Sequence, residues 1–408
     1  MCPLSEPGRP LHARRMSRHG HLIRLVRSPN RSVLGRQHWD CWWRRLLIGT
    51  AAVCTVAVVT ITALTWYAAN RLMDVGPAPH SYPLRVVGVG QVTIVLAHGP
   101  NAEEPGSFRL TWRGGQARIG PVLVADGATV TRPLSDVSGT LTVGKRVALE
   151  PNPFTGDPRR ALGLAFTDVI VPGLTGPLPA WQLQGTRRTW VILIHGLRGS
   201  RADTLPAMPT LSALGFPMLA VTYRNDPAAA PSADHRSHLG DTEWHDVEAA
   251  VRYALARGAS GVVLYGWSLG GGMATVTSEQ SPLRGAVRAL VLDSPLLDWP
   301  ATLTSAARRQ SLPPPLWWAE EQLLAAHLGS ALDRYDSVRL AAGLSTPTLL
   351  IQGSADTIVP PSTADAFARA RPEVVSYMRI SGADHASAVD VAPDRYAAAL
   401  RHRLDGLS

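Results

Sequence analysis

The sequence predicts an α/β protein. A mostly parallel eight-stranded sheet with helices on both faces follows a transmembrane helix and a small β-rich module. Three observations carry this. Residues 46–67 hold no charged side chain. Residues 84–164 cluster β-formers between glycines and prolines. From about residue 165, apolar strand-like runs alternate with helical periodicity. With 408 residues, 45% hydrophobic and 17% charged, the chain can bury a sizeable core and is not disordered.

The net charge of +9 sits in a tail. Residues 1–45 carry ten arginines against Glu6 and Asp40, a net of +8, which leaves +1 for the rest. A folded nucleic-acid face is therefore not expected. The three cysteines, Cys2, Cys41 and Cys54, all precede residue 55. The remainder has no disulfide, thiolate metal site or cysteine nucleophile.

Residues 46–69 read as a single membrane span. At about 1.5 Å per residue, the 22 uncharged residues 46–67 extend roughly 33 Å, enough for a bilayer core. Val, Ile and Thr weaken a helix in water, but in lipid the backbone must bond to itself. Trp39, Trp42 and Trp43 flank one end, Trp66 and Tyr67 the other. Arg36, Arg44 and Arg45 precede the span, whereas Arg71 is offset by Asp74. The positive-inside rule then puts the tail in the cytoplasm and the catalytic domain outside the cell membrane. The alternatives are a cleaved signal peptide, with Arg44-Arg45 resembling a twin-arginine signal, or a buried core helix.

Residues 70–83 read as a linker, Pro-rich from Gly76 to Pro83. In the module, 91–96, 108–113 and 122–124 are the strand-like runs. His98-Gly99 reads as a turn. Downstream, strands are expected at 166–171, 178–183, 190–194, 217–223, 262–265, 289–292, 348–351 and 374–380, with helices such as 246–257 and 364–370. The inner strands are near-continuous apolar runs, as helices on both sheet faces require.

The chemistry centres on Ser268. A buried strand leads into Gly266-Trp267-Ser268-Leu269-Gly270 and then a helix. A serine at such a turn sits in strained backbone, and Gly266 and Gly270 remove side chains that would collide. A hydroxyl needs a base within hydrogen-bond reach to become a nucleophile. The chain order expected is Ser, acid, His. Asp356 follows the strand 348–351, and His385 follows 374–380, on the sheet edge where ligands bind. His385 would serve as general base and Asp356 would hold its tautomer. Asp293 is the rival acid. Asp384 is expected to point away from His385, and His402 to be a solvated helix residue. The oxyanion hole is assigned to the N–H groups of Leu269 and Leu197, with Gly196 and Gly199 allowing close approach. His195 is expected to brace that loop.

These motifs carry a resemblance. Residues 165–408 resemble the serine-hydrolase branch of the α/β-hydrolase fold superfamily, in the style of prolyl-oligopeptidase-like and serine-aminopeptidase-like esterase or peptidase domains. His195–Gly199 match H-G-x-x-G, Gly266–Gly270 the nucleophile turn, Gly353–Asp356 G-S-A-D, and Gly382–His385 G-A-D-H. Ser268 argues against epoxide hydrolases and haloalkane dehalogenases, which place Asp there. The module is too short for the β-propeller of true prolyl oligopeptidases. A cap is expected at about 295–345, where Trp299, Trp317 and Trp318 either line an acyl pocket or pack the cap.

His238, Asp241 and His245 invite a metal reading, but Gly240 interrupts them and Asp241 reads as the N-cap of a helix. Neither metal nor cofactor is expected. The implied function is a membrane-anchored serine hydrolase acting on a carboxylic ester or thioester, small or lipid-like. A peptidase on the same residues and a non-catalytic envelope scaffold are the alternatives. Oligomeric state, acyl length and the module's role stay open.

Overall fold

The computed structural model describes residues 32–76, 81–311, 314–328 and 335–407. The tail as far as residue 31, linker residues 77–80 and two stretches of the expected cap lie outside them. Two compact units divide the chain, Met1–Val59 and Thr60–Ser408.

The apolar helix α1 spans Ser32–Met73, longer at both ends than the 46–69 expected. Its Thr50, Thr55 and Thr65 hydroxyls donate to carbonyls four residues back, so the helix satisfies its own polar groups. The stretch Arg45–Met73 is long and apolar enough to cross a membrane. In the first unit, side chains 46–59 are all exposed.

In the second unit, Thr65, Ala69 and Met73 are buried. Their four-residue spacing puts them on one helix face. Ala69 and Met73 join the core of the large sheet. Residues 70–73, expected as linker, are thus the last turn of a docked helix. The Arg198 side chain caps it, donating to Asp74 O at 2.9 Å and to Arg71 O. Ser237 N–H donates to Met73 O at 2.9 Å. Met73→Ala is expected to cost about 2–5 kcal/mol in thermal or urea unfolding. No loss of stability would show that the docking is incidental.

The module is a closed antiparallel barrel. Its strands are β1 (Leu84–Val89), β2 (Thr93–Ala97), β3 (Phe108–Trp112), β4 (Gly115–Ile119), β5 (Val124–Ala125), β6 (Thr129–Ser138) and β7 (Arg146–Glu150). They run in the order β2-β1-β7-β3-β4-β6-β5, and a β2–β6 pairing closes the ring. Alternate residues such as Phe108, Leu110 and Trp112 point inward, the two-residue period of a strand. Arg132 on β6 is fully buried with them. Its guanidinium donates to the carbonyls of Ala102, Glu104, Gly106 and Gly120. Those bonds make its burial tolerable. Burial still lowers its pKa to about 10.

The large sheet comprises β8 (Thr167–Pro172), β9 (Pro177–Leu183), β10 (Thr189–Ile194), β11 (Met218–Val221), β12 (Gly261–Trp267), β13 (Val287–Asp293), β14 (Thr348–Gly353) and β15 (Val375–Ile380). Their order is β15-β14-β13-β12-β10-β11-β9-β8. β9 pairs antiparallel with β11 and with the edge strand β8, and the other pairings are parallel. Every residue of β10, β11, β12 and β14 is buried, which explains the unbroken apolar runs.

In chain order the remaining helices are α2 (Pro158–Leu162), α3 (Met208–Ala213), α4 (Trp244–Ala256), α5 (Leu269–Gln280), α6 (Trp299–Arg309) and α7 (Pro314–Leu328). After them come α8 (Ser337–Ala342), α9 (Pro361–Ala370), α10 (Ala388–Val391) and α11 (Pro393–Leu404). α4, α5, α8 and α9 pack on one sheet face. α3, α10 and α11 pack on the other.

One cap expectation needs correcting. The residue before α4 is Glu243, and Asp241 does not cap it. The Glu243 carboxylate instead accepts N–H bonds from His238 and Gly240, folding the preceding loop upon itself.

Candidate active site

β12 lies at the centre of the sheet, between β10 and β13. Ser268 follows it with φ +51° and ψ −121°, outside the ordinary regions for a non-glycine residue. A side chain on Gly266 would sit 2.3 Å from Gly270 carbonyl atoms, and one on Gly270 would sit 2.3 Å from Ile194 O. Both glycines are therefore obligatory for a turn this tight.

The structure brings Ser268, His385 and Asp356 together. His385 Nε2 lies 2.9 Å from Ser268 Oγ, and Nδ1 lies 2.9 Å from Asp356 Oδ2. With Nδ1–H donating to the carboxylate, Nε2 is left to accept the serine proton. Asp356 is itself fixed by the N–H groups of Ile358 and Val359 and by the Gln352 amide, at 2.8–2.9 Å. Burial works against a charged His385, but the Asp356 carboxylate outweighs it and the pKa is raised above the ordinary 6.5.

Among the described residues, Asp293 is not hydrogen-bonded to His385. It is fully buried and accepts from Tyr396 at 2.6 Å and from Ser294 at 3.1 Å. Burial raises its pKa to about 6. Asp384 turns away from the imidazole, its carboxylate accepting from Thr357 and Asn101. His402 is exposed on α11.

Gly196 and Leu197 line the pocket beside Ser268. A side chain on Gly196 would meet Ser268 Cβ at 3.0 Å, tighter than ordinary packing. Leu269 opens α5 directly after the serine. Among the described residues, neither the Leu197 nor the Leu269 N–H donates to a protein acceptor.

His195 braces the same loop. It is fully buried, with Nδ1 2.9 Å from Gly196 O and Nε2 2.8 Å from Asp226 Oδ2. Both partners are acceptors, so the ring bonds both only as imidazolium. Burial opposes that charge, the Asp226 carboxylate prevails, and the pKa is raised. The Tyr223 hydroxyl also donates to Gly196 O, at 2.6 Å. Nothing in the sequence marks Tyr223 or Asp226 locally, because their roles arise from where β11 ends.

The pocket at Ser268 has a volume of about 270 Å³. Trp267, Leu197, Pro206 and Val389 supply its apolar wall, and Arg109, Glu150 and Asn152 come from the barrel side. Trp299 instead packs the cap, donating from Nε1 to Leu239 O at 3.1 Å. Trp317 and Trp318 are likewise not among the lining residues. A larger cavity of about 380 Å³, between Arg118, Asp136 and Phe154, has no histidine in its lining. Among the described residues no group of three or more His, Cys, Asp or Glu side chains is arranged for a metal ion. His238 is instead bonded to Thr242 and Asp234.

Comparison with known proteins bears on the fold. Residues 211–401 match the prolyl oligopeptidase family. Residues 85–150 match a domain of unknown function (DUF8805). No curated protein matches the chain. A Pyrococcus furiosus esterase superposes in one crystal form with a TM-score of 0.50 at 19% identity, covering 62% of this chain and 98% of that one. In another form the values are 0.50 and 18%, covering 62% and 95%. A thermophilic esterase from Thermogutta terrifontis with malate bound gives 0.44 and 20%, covering 59% and 99%. Residues 211–401 thus resemble the prolyl oligopeptidase family, and the large sheet with its helices has the α/β-hydrolase fold.

Proposed function

We propose that the protein hydrolyses a carboxylic ester or thioester through an acyl-enzyme on Ser268, His385 and Asp356. The observation that carries this is the unbroken hydrogen-bond chain from Ser268 Oγ through His385 to Asp356. Ser268 Oγ attacks the substrate carbonyl carbon while His385 Nε2 takes its proton. The developing oxyanion accepts the N–H groups of Leu197 and Leu269. His385 then returns the proton to the leaving alcohol or thiol. Water, deprotonated by His385, repeats the attack and frees the acid. This sequence calls on no cofactor.

A peptidase reading stands second, because the matched family is one of oligopeptidases. Comparing p-nitrophenyl esters with aminoacyl and peptidyl p-nitroanilides separates the two. Ester turnover exceeding anilide turnover at equal enzyme supports the esterase; the reverse order supports the peptidase.

The raised pKa of His385 has a kinetic consequence. Protonated imidazole cannot accept the serine proton, so kcat/KM is expected to fall as pH drops through a midpoint above 6.5. A midpoint at or below 6.5 would contradict the Asp356–His385 coupling.

The exposed part of α1 is proposed to anchor the protein as a single membrane span, tail cytoplasmic and catalytic domain outside. Exposure of 46–59 and burial of Thr65, Ala69 and Met73 support a span lying toward the front of the helix. Extraction by alkaline carbonate, or protection of the catalytic domain from protease added to whole cells, would refute it.

A further inference from the structure

The barrel reaches the loop that carries His385. Between β2 and β3, Glu104 Oε1 accepts the Asp384 N–H at 2.9 Å and the Ser387 hydroxyl. Asn101 Nδ2 donates to Asp384 Oδ2 at 2.7 Å. Asp384 and Ser387 bracket His385 in sequence, so the barrel grips the histidine's own loop.

That loop needs outside support. Ala386, next to His385, has φ +54°, a conformation L side chains adopt reluctantly. Such strain persists only where the surroundings over-determine it. The large sheet supplies some restraint: Ser294 Oγ accepts the Ala386 N–H at 3.0 Å, and Thr357 binds the Asp384 carboxylate. Among the described residues, the Asp384 N–H has Glu104 as its acceptor.

The gripping loop is itself rigid. Buried Arg132 binds the carbonyls of Ala102, Glu104 and Gly106 from below. Gly106, at φ +108°, lies so close to α10 that a Cβ would sit 2.1 Å from Asp390 O. Asn152 N–H, just beyond β7, donates to Asp390 Oδ2 at 3.0 Å. The barrel thus meets the segment after His385 at several points.

We propose that the barrel is a working part of the active site, with Glu104 a positioning residue that holds the His385 loop against Ser268 and Asp356. This rests on His385 being the general base.

The test uses the full chain in detergent, with p-nitrophenyl butyrate turnover normalised to sites titrated by a fluorophosphonate. Glu104→Ala is expected to lower kcat per labelled site on the order of 10- to 100-fold with KM little changed. Glu104→Gln keeps a carbonyl acceptor and is expected to restore most of the rate. Ser387→Ala removes one of the two Glu104 donors from the far side, without touching the barrel, and is expected to cost several-fold. A merely structural role would lower Tm and the labelled fraction while leaving kcat per labelled site unchanged. That result in Glu104→Ala, or in Ser387→Ala should Glu104→Ala not fold, overturns the proposal. Failure of the underlying reading shows separately, as equal labelling of the wild type and Ser268→Ala.

Discussion

Ser268→Ala is expected to lower kcat on a p-nitrophenyl ester by at least about 10⁴-fold. In the proposed mechanism Ser268 Oγ forms the acyl bond, and no other serine lines the pocket. Buried Ser294 is engaged elsewhere, its hydroxyl donating to Asp293 at 3.1 Å and accepting the Ala386 N–H. Binding should survive, since the pocket wall of Trp267, Pro206 and Val389 is untouched. The measurement is kcat and KM on the purified full chain, with fluorophosphonate labelling alongside. Equal rates in both proteins would remove Ser268 from the mechanism. Retained ligand binding without turnover in either protein would favour the scaffold reading.

The largest stability effect is expected at Asp246→Ala. Arg224 and Asp246 form a two-pronged ion pair at 2.8 Å on both arms, with side chains 8% and 0% exposed. Asp246 also accepts the Arg224 backbone N–H at 2.9 Å. Removing the carboxylate strands a buried guanidinium, at a cost of about 3–5 kcal/mol. The urea midpoint should fall by the corresponding amount at constant m. The double variant Arg224→Met, Asp246→Leu removes both members of the pair and is expected to lose less than Asp246→Ala alone. A double variant as unstable as the single one would refute the unpaired-charge argument. This pair borders the segment whose histidines and acids invited a metal reading; here the acid serves a buried ion pair.

The inner strands β10, β11 and β12 of the large sheet were legible because each is a near-continuous apolar run buried on both faces. Ser268, Asp356 and His385 were legible for a related reason. Each sits just past a strand's carboxyl end, and a parallel sheet brings such ends to one edge. The glycines at 266 and 270 announced themselves because strained turns admit few residue types. The Asp241 cap was misread because Glu243 offers a longer carboxylate to the same loop.

By itself, then, the sequence determined the apolar helix, the sheet and the placing of Ser268, Asp356 and His385 at strand ends, since these rest on periodicity and local backbone demands. Tertiary structure alone decided what supports them. The Glu104–Asp384 and Asp226–His195 contacts join residues distant in the chain, as does the Arg198 cap on the end of α1. No local pattern encodes such pairs, because a hydrogen bond depends on where two backbones finally meet rather than on the neighbours of either residue.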